Sequence, residues 1–212
     1  MSVTDQALLT ALQFALIEDP DSGATWTSGL WTPAEVLDYL NQRQNRLLRE
    51  SMILLSEANI TVNPATLRQD LPFDWIATQR VVWRKSDGTR RELPRSDSFE
   101  TDAMLPSWPY TLADRPQVYM DAETPTLQIQ IAPAPLDVGR LEILYVALGA
   151  LLTGLGEIFT VPDEFVPAIK YGVLADMLSK IGRASDQTRI QYCESRFQEG
   201  IEAGKLMLMG WA

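Results

Sequence analysis

Histidine is absent from this chain of 212 residues, and cysteine occurs once, at Cys193. Without histidine there is no Ser-His-Asp or Cys-His nucleophile system and no HExxH zinc site, and the commonest general base is missing. One cysteine forms no intrachain disulfide and no cysteine-based zinc site, which points to a reducing compartment. A membrane-length apolar run is also missing. The longest, Ile143 to Leu155, is interrupted by Gly149, Thr153 and Gly154 and falls short of the roughly 20 residues a span needs. The opening stretch has no basic-then-apolar leader pattern. Asp5, Gln6, Thr10 and Gln13 punctuate it as they would an amphipathic helix. Lysine is scarce, with Lys85, Lys170, Lys180 and Lys205 only, so the positive charge is mostly arginine, the residue of forked contacts to carboxylates and of protein interfaces. The net charge is −10, which opposes gripping nucleic acid through the average field.

The pattern of what is present is helical at both ends and alternating in the middle. Residues 2–17 carry Leu8, Leu9, Leu12, Ala15 and Leu16 at helical spacing. Asp19 to Gly23 then break the helix, and the loop that follows holds Trp26 and Trp31. Thr32-Pro33-Ala34-Glu35 is a helix start with an N-cap, a first-position proline and a capping-box glutamate. Apolar positions from Leu37 to Leu55 extend that helix to about six turns, and Arg43, Arg46 and Arg49 stripe its other side. Trp75 to Lys85, a Ser86-Asp87-Gly88 turn and Thr89 to Leu93 form a hairpin. Gln117 to Met120, Leu127 to Ile131 and Arg140 to Val146 are further strands, with the proline-marked Ser96 to Arg115 irregular between them. Asp121 to Pro125 is a turn. Pro162-Asp163-Glu164 opens a third long helix with a stripe of Phe165, Ile169, Val173, Met177 and Ile181, capped near Gly182. From an N-cap at Ser185, a last helix aligns Ile190, Cys193, Phe197, Ile201, Gly204 and Leu208. The expected fold is α+β: a core of about four helices, 1–68 with 147–212, carrying a small antiparallel sheet inserted at 69–146.

Motif searches mostly exclude. Gly149 and Gly154 have the spacing that opens a phosphate-binding loop, but Leu155 and Gly156 stand where Lys and Ser or Thr are needed. Asp19, Asp21 and Gly23 fail as a calcium loop, since the glycine is one position early and the twelfth residue is Leu30. Two acidic pairs, Asp163 with Glu164 and Glu18 with Asp19, are the material for carboxylate catalysis, and both are better read as helix ends. No catalytic residue, cofactor or metal ligand is assigned. Arg80, Arg84, Lys85, Arg90, Arg91 and Arg95 crowd the hairpin. They are a solvated tip that blocks edge pairing, or a contact with an acidic neighbour or nucleic acid; the first has the better odds. Arg43, Arg46 and Arg49 are a solvated or an intersubunit stripe. Leu206, Met207, Leu208, Met209 and Trp211 either seal the core or anchor in a partner's groove.

The order of pieces is similar to that of the head-to-tail connector (adaptor) proteins of tailed bacteriophages. The resemblance is carried by Trp31-Thr32 to Leu55 as a first core helix and by Leu71-Pro72 before the sheet. It continues through a strand ending in Tyr145-Val146, the Val161-Pro162-Asp163-Glu164-Phe165 helix start, AIKYGVLADMLSKIG, a break at Ser185-Asp186, and Tyr192 with Phe197. The β insertion makes the chain resemble the larger, podophage-like tail adaptors. The resemblance implies a non-enzymatic structural subunit of the virion neck, assembled in the host cytoplasm. It implies a dodecameric ring below the portal protein, joined to a tail or nozzle protein, with genomic DNA passing through unread and no membrane involved. The C-terminal segment would bind the portal, and Arg84, Lys85, Arg90 and Arg91 would face the tail or a neighbour. The rival readings are another neck protein such as a stopper or tail-completion protein, a carboxylate-dependent hydrolase, and a DNA-binding regulator.

Overall fold

The structure, a computed structural model, describes residues 2–16, 30–121, 125–180 and 186–209, the side chain of Met209 excepted. Trp26, the Glu18–Asp19 pair, Ile181, Gly182, Ser185 and Trp211 lie outside them, as does the middle of the expected turn at 122–124. The class is α+β, and the chain forms two compact units: Met1–Leu54 with Leu148–Ala212, and Leu55–Ala147.

Among its described residues the first unit holds four α-helices: α1 (Asp5–Ala15), α2 (Pro33–Ser51), α4 (Val166–Ser179) and α5 (Gln187–Met209). Helix α2 begins as its local chemistry dictates. Thr32 accepts from the Glu35 amide at 3.2 Å, and the Glu35 carboxylate accepts from the Thr32 amide at 2.8 Å, a reciprocal capping box. Its end differs from expectation. The helix stops at Ser51, with Met52 in the left-handed region at φ 57°, rather than running to Leu55. A 3-10 turn, Asp163–Phe165, leads into α4. Helix α4 is buried on more than the one stripe expected, because Ala168, Gly172, Leu174, Ala175 and Leu178 are buried as well as Ile169, Val173 and Met177. It is the central helix, packed on α2 and α5, and an all-round apolar helix belongs in that position. Trp31 donates from its indole to the Met177 carbonyl at 3.0 Å. Helix α5 seats through its glycines. A Cβ on Gly200 would lie 2.3 Å from the Ala168 Cβ, and one on Gly204 2.8 Å from Ser51. Asp186 caps α5, accepting from the Arg189 amide at 3.1 Å.

The second unit begins with a strand that periodicity did not reveal, β1 (Leu55–Val62). Next come β2 (Arg68–Asp70), β3 (Trp75–Lys85), β4 (Arg90–Leu93), α3 (Ser98–Met104), β5 (Leu112–Ala113), β6 (Val118–Met120), β7 (Gln128–Ala132), β8 (Ala134–Pro135) and β9 (Gly139–Ala147). One sheet is ordered β1-β9-β3-β4, a second β2-β7-β6, and β5 pairs with β8 in parallel. The expected single antiparallel sheet is thus an antiparallel four-stranded sheet, an antiparallel three-stranded sheet and a short parallel pair. Leu55 pairs with Val146, so the unit starts and finishes on neighbouring strands. Helix α3 corrects the reading of Ser96 to Arg115 as irregular: Asp97 accepts from the Glu100 amide at 2.6 Å, and the Trp108 indole donates to Asp102 at 2.8 Å.

Candidate interaction surfaces

Helix α2 presents Arg43 and Arg46 toward α4 and α5. Arg43 is buried, and its Nε and Nη2 donate to the two oxygens of Asp176 at 2.7 and 2.6 Å. Its Nη1 donates to Glu194 at 2.7 Å, and the guanidinium lies 4.8 Å from the ring centre of Phe197. Gly172 leaves room for this, since a Cβ there would fall 2.9 Å from the Arg43 Cδ. Burial opposes the charge on Arg43, but Asp176 and then Glu194 more than offset it, and the group is held above its ordinary pKa. Arg46 donates to Glu50 at 2.7 Å and to the other oxygen of Glu194 at 2.9 Å. Two of the three stripe arginines are therefore tied into their own unit. Arg49 is exposed and has no ion pair among the described residues.

The C-terminal helix separates into a packed and an open part. Cys193, Phe197 and Ile201 are buried, and burial pushes the Cys193 thiol up, as for a packed thiol. Beyond Gly204 the apolar residues turn outward: Leu206 is 68% and Met207 54% exposed, while Leu208 is half-buried. Large apolar side chains on a helix end, left in water, are the material of an interface.

The four-stranded sheet has an apolar and a polar face. Val81 and Trp83 of β3 stand opposite Ile143 and Leu141 of β9 on one side. Trp83 fills the space over Gly139, where a Cβ would come within 2.2 Å of the indole. The opposite face is a depression of about 400 Å³ lined by Arg80, Arg84, Arg90, Arg140 and Glu142 among others. Arg84 and Arg90 both donate to one oxygen of Glu142, at 3.3 and 3.4 Å. Lys85 sits apart, ion-paired with Asp114 and, at 3.6 Å, with Asp137. Arg91 stands opposite Trp83, on the other side from Arg84 and Arg90. Five of the six basic residues that the sequence groups together thus divide between the two sides of the sheet, and the sixth, Arg95, pairs separately with Asp121 at 2.7 Å.

A protein-family model described as SU10 adaptor protein matches residues 6–207 of the chain. The chain belongs to the SU10 adaptor protein family. No curated protein matches it. As a phage adaptor protein it is a virion component that interacts with other virion components. Among the described residues of this adaptor, no helix is long and apolar enough to cross a membrane, and no group of three or more acidic or cysteine side chains is arranged to hold a metal ion.

Of the carboxylates weighed for catalysis, Asp163 and Glu164 lie among the described residues; Glu164 is exposed, and Asp163 has a structural role. Asp163 accepts from the Val3 amide at 3.0 Å at the start of the 3-10 turn. One acidic site in the adaptor went unread in the sequence. Asp5, fully buried in the first turn of α1, accepts from the amides of Gly154 and Gly156 at 2.8 and 3.0 Å. Both glycines have positive φ, at 85° and 93°, which turns their N–H groups into an anion-binding nest. Gly154, one of the two glycines rejected as a phosphate loop, does bind an anion, but together with Gly156 and not Gly149, and the anion is a carboxylate of the same chain. Burial, and after it a hydrogen bond with Glu157, raises the pKa of Asp5. Glu157 is lowered to about 2, first by the Thr153 hydroxyl and next by Asp5.

Proposed function

We propose that this chain is a head-to-tail adaptor subunit of a tailed phage. It assembles in the host cytoplasm as a dodecameric ring between the portal protein and the tail, and genomic DNA passes through the ring without being read. The work is assembly and needs no catalytic residue. The C-terminal end of α5 is the portal-binding element, and the β unit faces the tail or a neighbouring subunit. The observation that carries this reading is the exposure of Leu206 and Met207 at the end of α5, in a chain whose family is that of an adaptor. An apolar helix end with long flexible side chains fits a groove on a partner. Leu208, Met209 and Trp211 belong to the same proposed portal-binding segment by their place in the sequence. The acidic net charge suits a wall along which DNA slides, because such a wall repels phosphate.

The test is removal of residues 206–212. The truncated chain should keep its far-ultraviolet circular dichroism and lose co-sedimentation with the portal protein encoded by the same genome. Negative-stain images of the full chain should show it stacked on one end of the portal with rotational symmetry. Unfolding of the truncated chain would instead make the segment a seal of the core, and a full chain that stays free beside intact portal rings would refute portal binding.

A further inference from the structure

The pairing registers of the four-stranded sheet place three arginines in one row. Arg140 of β9 lies directly opposite Arg84 of β3, and Arg84 directly opposite Arg90 of β4. Neighbouring strands are about 4.8 Å apart, so the row gathers three positive charges within about 10 Å. Like charges directly opposite one another destabilise a sheet. The next row holds Glu142 between Asn59 and Val82, with Glu92 beyond Val82. Glu142 reaches back to Arg84 and Arg90 through a single oxygen in two long contacts. Arg140 has no ion pair among the described residues, and the same holds for Arg80 one row further on. A guanidinium has five N–H donors, so most of the donors on this row have no acceptor among the described residues.

We propose that this arginine row is a docking site for an acidic, extended protein segment, one bearing a few discrete carboxylates, supplied by a neighbouring virion protein. An incoming carboxylate takes bidentate contacts from Arg84 and Arg140 and relieves the repulsion along the row. Glu142 then works as a weak internal stand-in that the segment outcompetes. Duplex DNA is the poorer occupant. Glu57 and Glu92 lie on the same face toward its two edges, where they repel a continuous phosphate backbone, and the chain as a whole is acidic. The row is entirely arginine, suited to planar forks, and Lys85 beside it already has Asp114 and Asp137. The adaptor reading enters only in making the partner a virion protein.

The experiment uses the full chain and fluorescein-labelled hexaglutamate, read by fluorescence anisotropy at low salt. The wild-type chain should bind it, and Arg84→Gln with Arg90→Gln should weaken binding by about tenfold or more, the loss expected for removing charge-assisted contacts. Glu142→Gln should tighten binding, because it frees both arginines, and Arg49→Gln should change nothing. Circular dichroism checks that each variant is folded. The proposal is overturned if hexaglutamate binds neither the wild type nor Glu142→Gln, if the arginine pair can be replaced without effect, or if a short duplex DNA displaces the peptide at lower concentration than unlabelled hexaglutamate does. Removal of residues 206–212 should leave this binding intact, so failure of portal capture and failure of the arginine site are read separately.

Discussion

Arg43→Met isolates the contact that ties three helices of the first unit together. The methionine keeps most of the aliphatic stem, which lies close to Gly172, and removes the charged head together with its contact over the Phe197 ring. That head makes three charge-assisted hydrogen bonds, two to Asp176 and one to Glu194, with a side-chain exposure of 10%. Removing one partner of a fully buried pair costs about 3–5 kcal/mol. The carboxylates here are 26% and 37% exposed, so water re-solvates part of what they lose, and Arg46 still reaches Glu194. The loss therefore falls to about 2–3 kcal/mol. For a unit of this size that lowers the melting temperature by roughly 8–12 °C, measured by circular dichroism of the purified chain. Adding Asp176→Leu should recover part of the loss, since replacing both partners of a buried pair by apolar groups is close to neutral. A melting temperature within 2 °C of wild type, about 0.5 kcal/mol on the same scale, would refute the clamp. If such a variant also failed to assemble, Arg43 would have to act between subunits.

Gly200→Ala drives a methyl against Ala168 at 2.3 Å and should destabilise by about 1–2 kcal/mol in thermal melts, overpacking outweighing the gain in helix propensity. Thr32→Ala removes the N-cap of α2 and should cost about 1 kcal/mol in the same assay. In acid, Glu157 and Asp5 act in opposite directions. The lowered pKa of Glu157 gives stability that is present above 4.5 and lost as the pH falls toward about 2. The raised pKa of Asp5 gives a contribution fully present below 3.8 and lost as the pH rises through its raised value. Between pH 4.5 and 2 the melting temperature of Glu157→Gln should therefore fall less steeply than that of wild type, and an equal slope would refute the assignment.

What the sequence disclosed follows the range of the interactions involved. The start of α2 depends on four consecutive residues and is legible for that reason. The hairpin of β3 and β4 is legible because its turn and its alternation are both local. The end of α2 is hidden because Ile53, Leu54 and Leu55 continue the apolar run past the left-handed Met52. Strand β1 then turns Ser56, Ala58, Ile60 and Val62 toward the less exposed side, and three of those four residues are small or short. Its most apolar outward residue, Leu55, gives the opposite cue. Helix α3 is shorter than a periodicity window, although Asp97 and Glu100 carry a start signal that prolines nearby obscured. The role of Asp5 had no local signature, because the amides it accepts from are about 150 positions away.

The arginines show most clearly where sequence spacing stops being informative. Arg43, Arg46 and Arg49 follow one another at helical spacing, and Arg84 and Arg90 flank a turn, so both sets look alike as runs of positive charge. The difference lies in the acceptors that tertiary structure supplies. Asp176 and Glu194 come from α4 and α5 and engage Arg43 and Arg46 at 2.6–2.9 Å. On the sheet, one oxygen of Glu142 serves two arginines at 3.3 and 3.4 Å. An arginine whose donors are met inside its own unit stabilises that unit and has little left for a partner. One that is crowded by like charge and poorly supplied with acceptors gains most from an external carboxylate. By that criterion the sheet face, with Arg49 as the lone unengaged member of the α2 stripe, is the better prospect for contact with a neighbour.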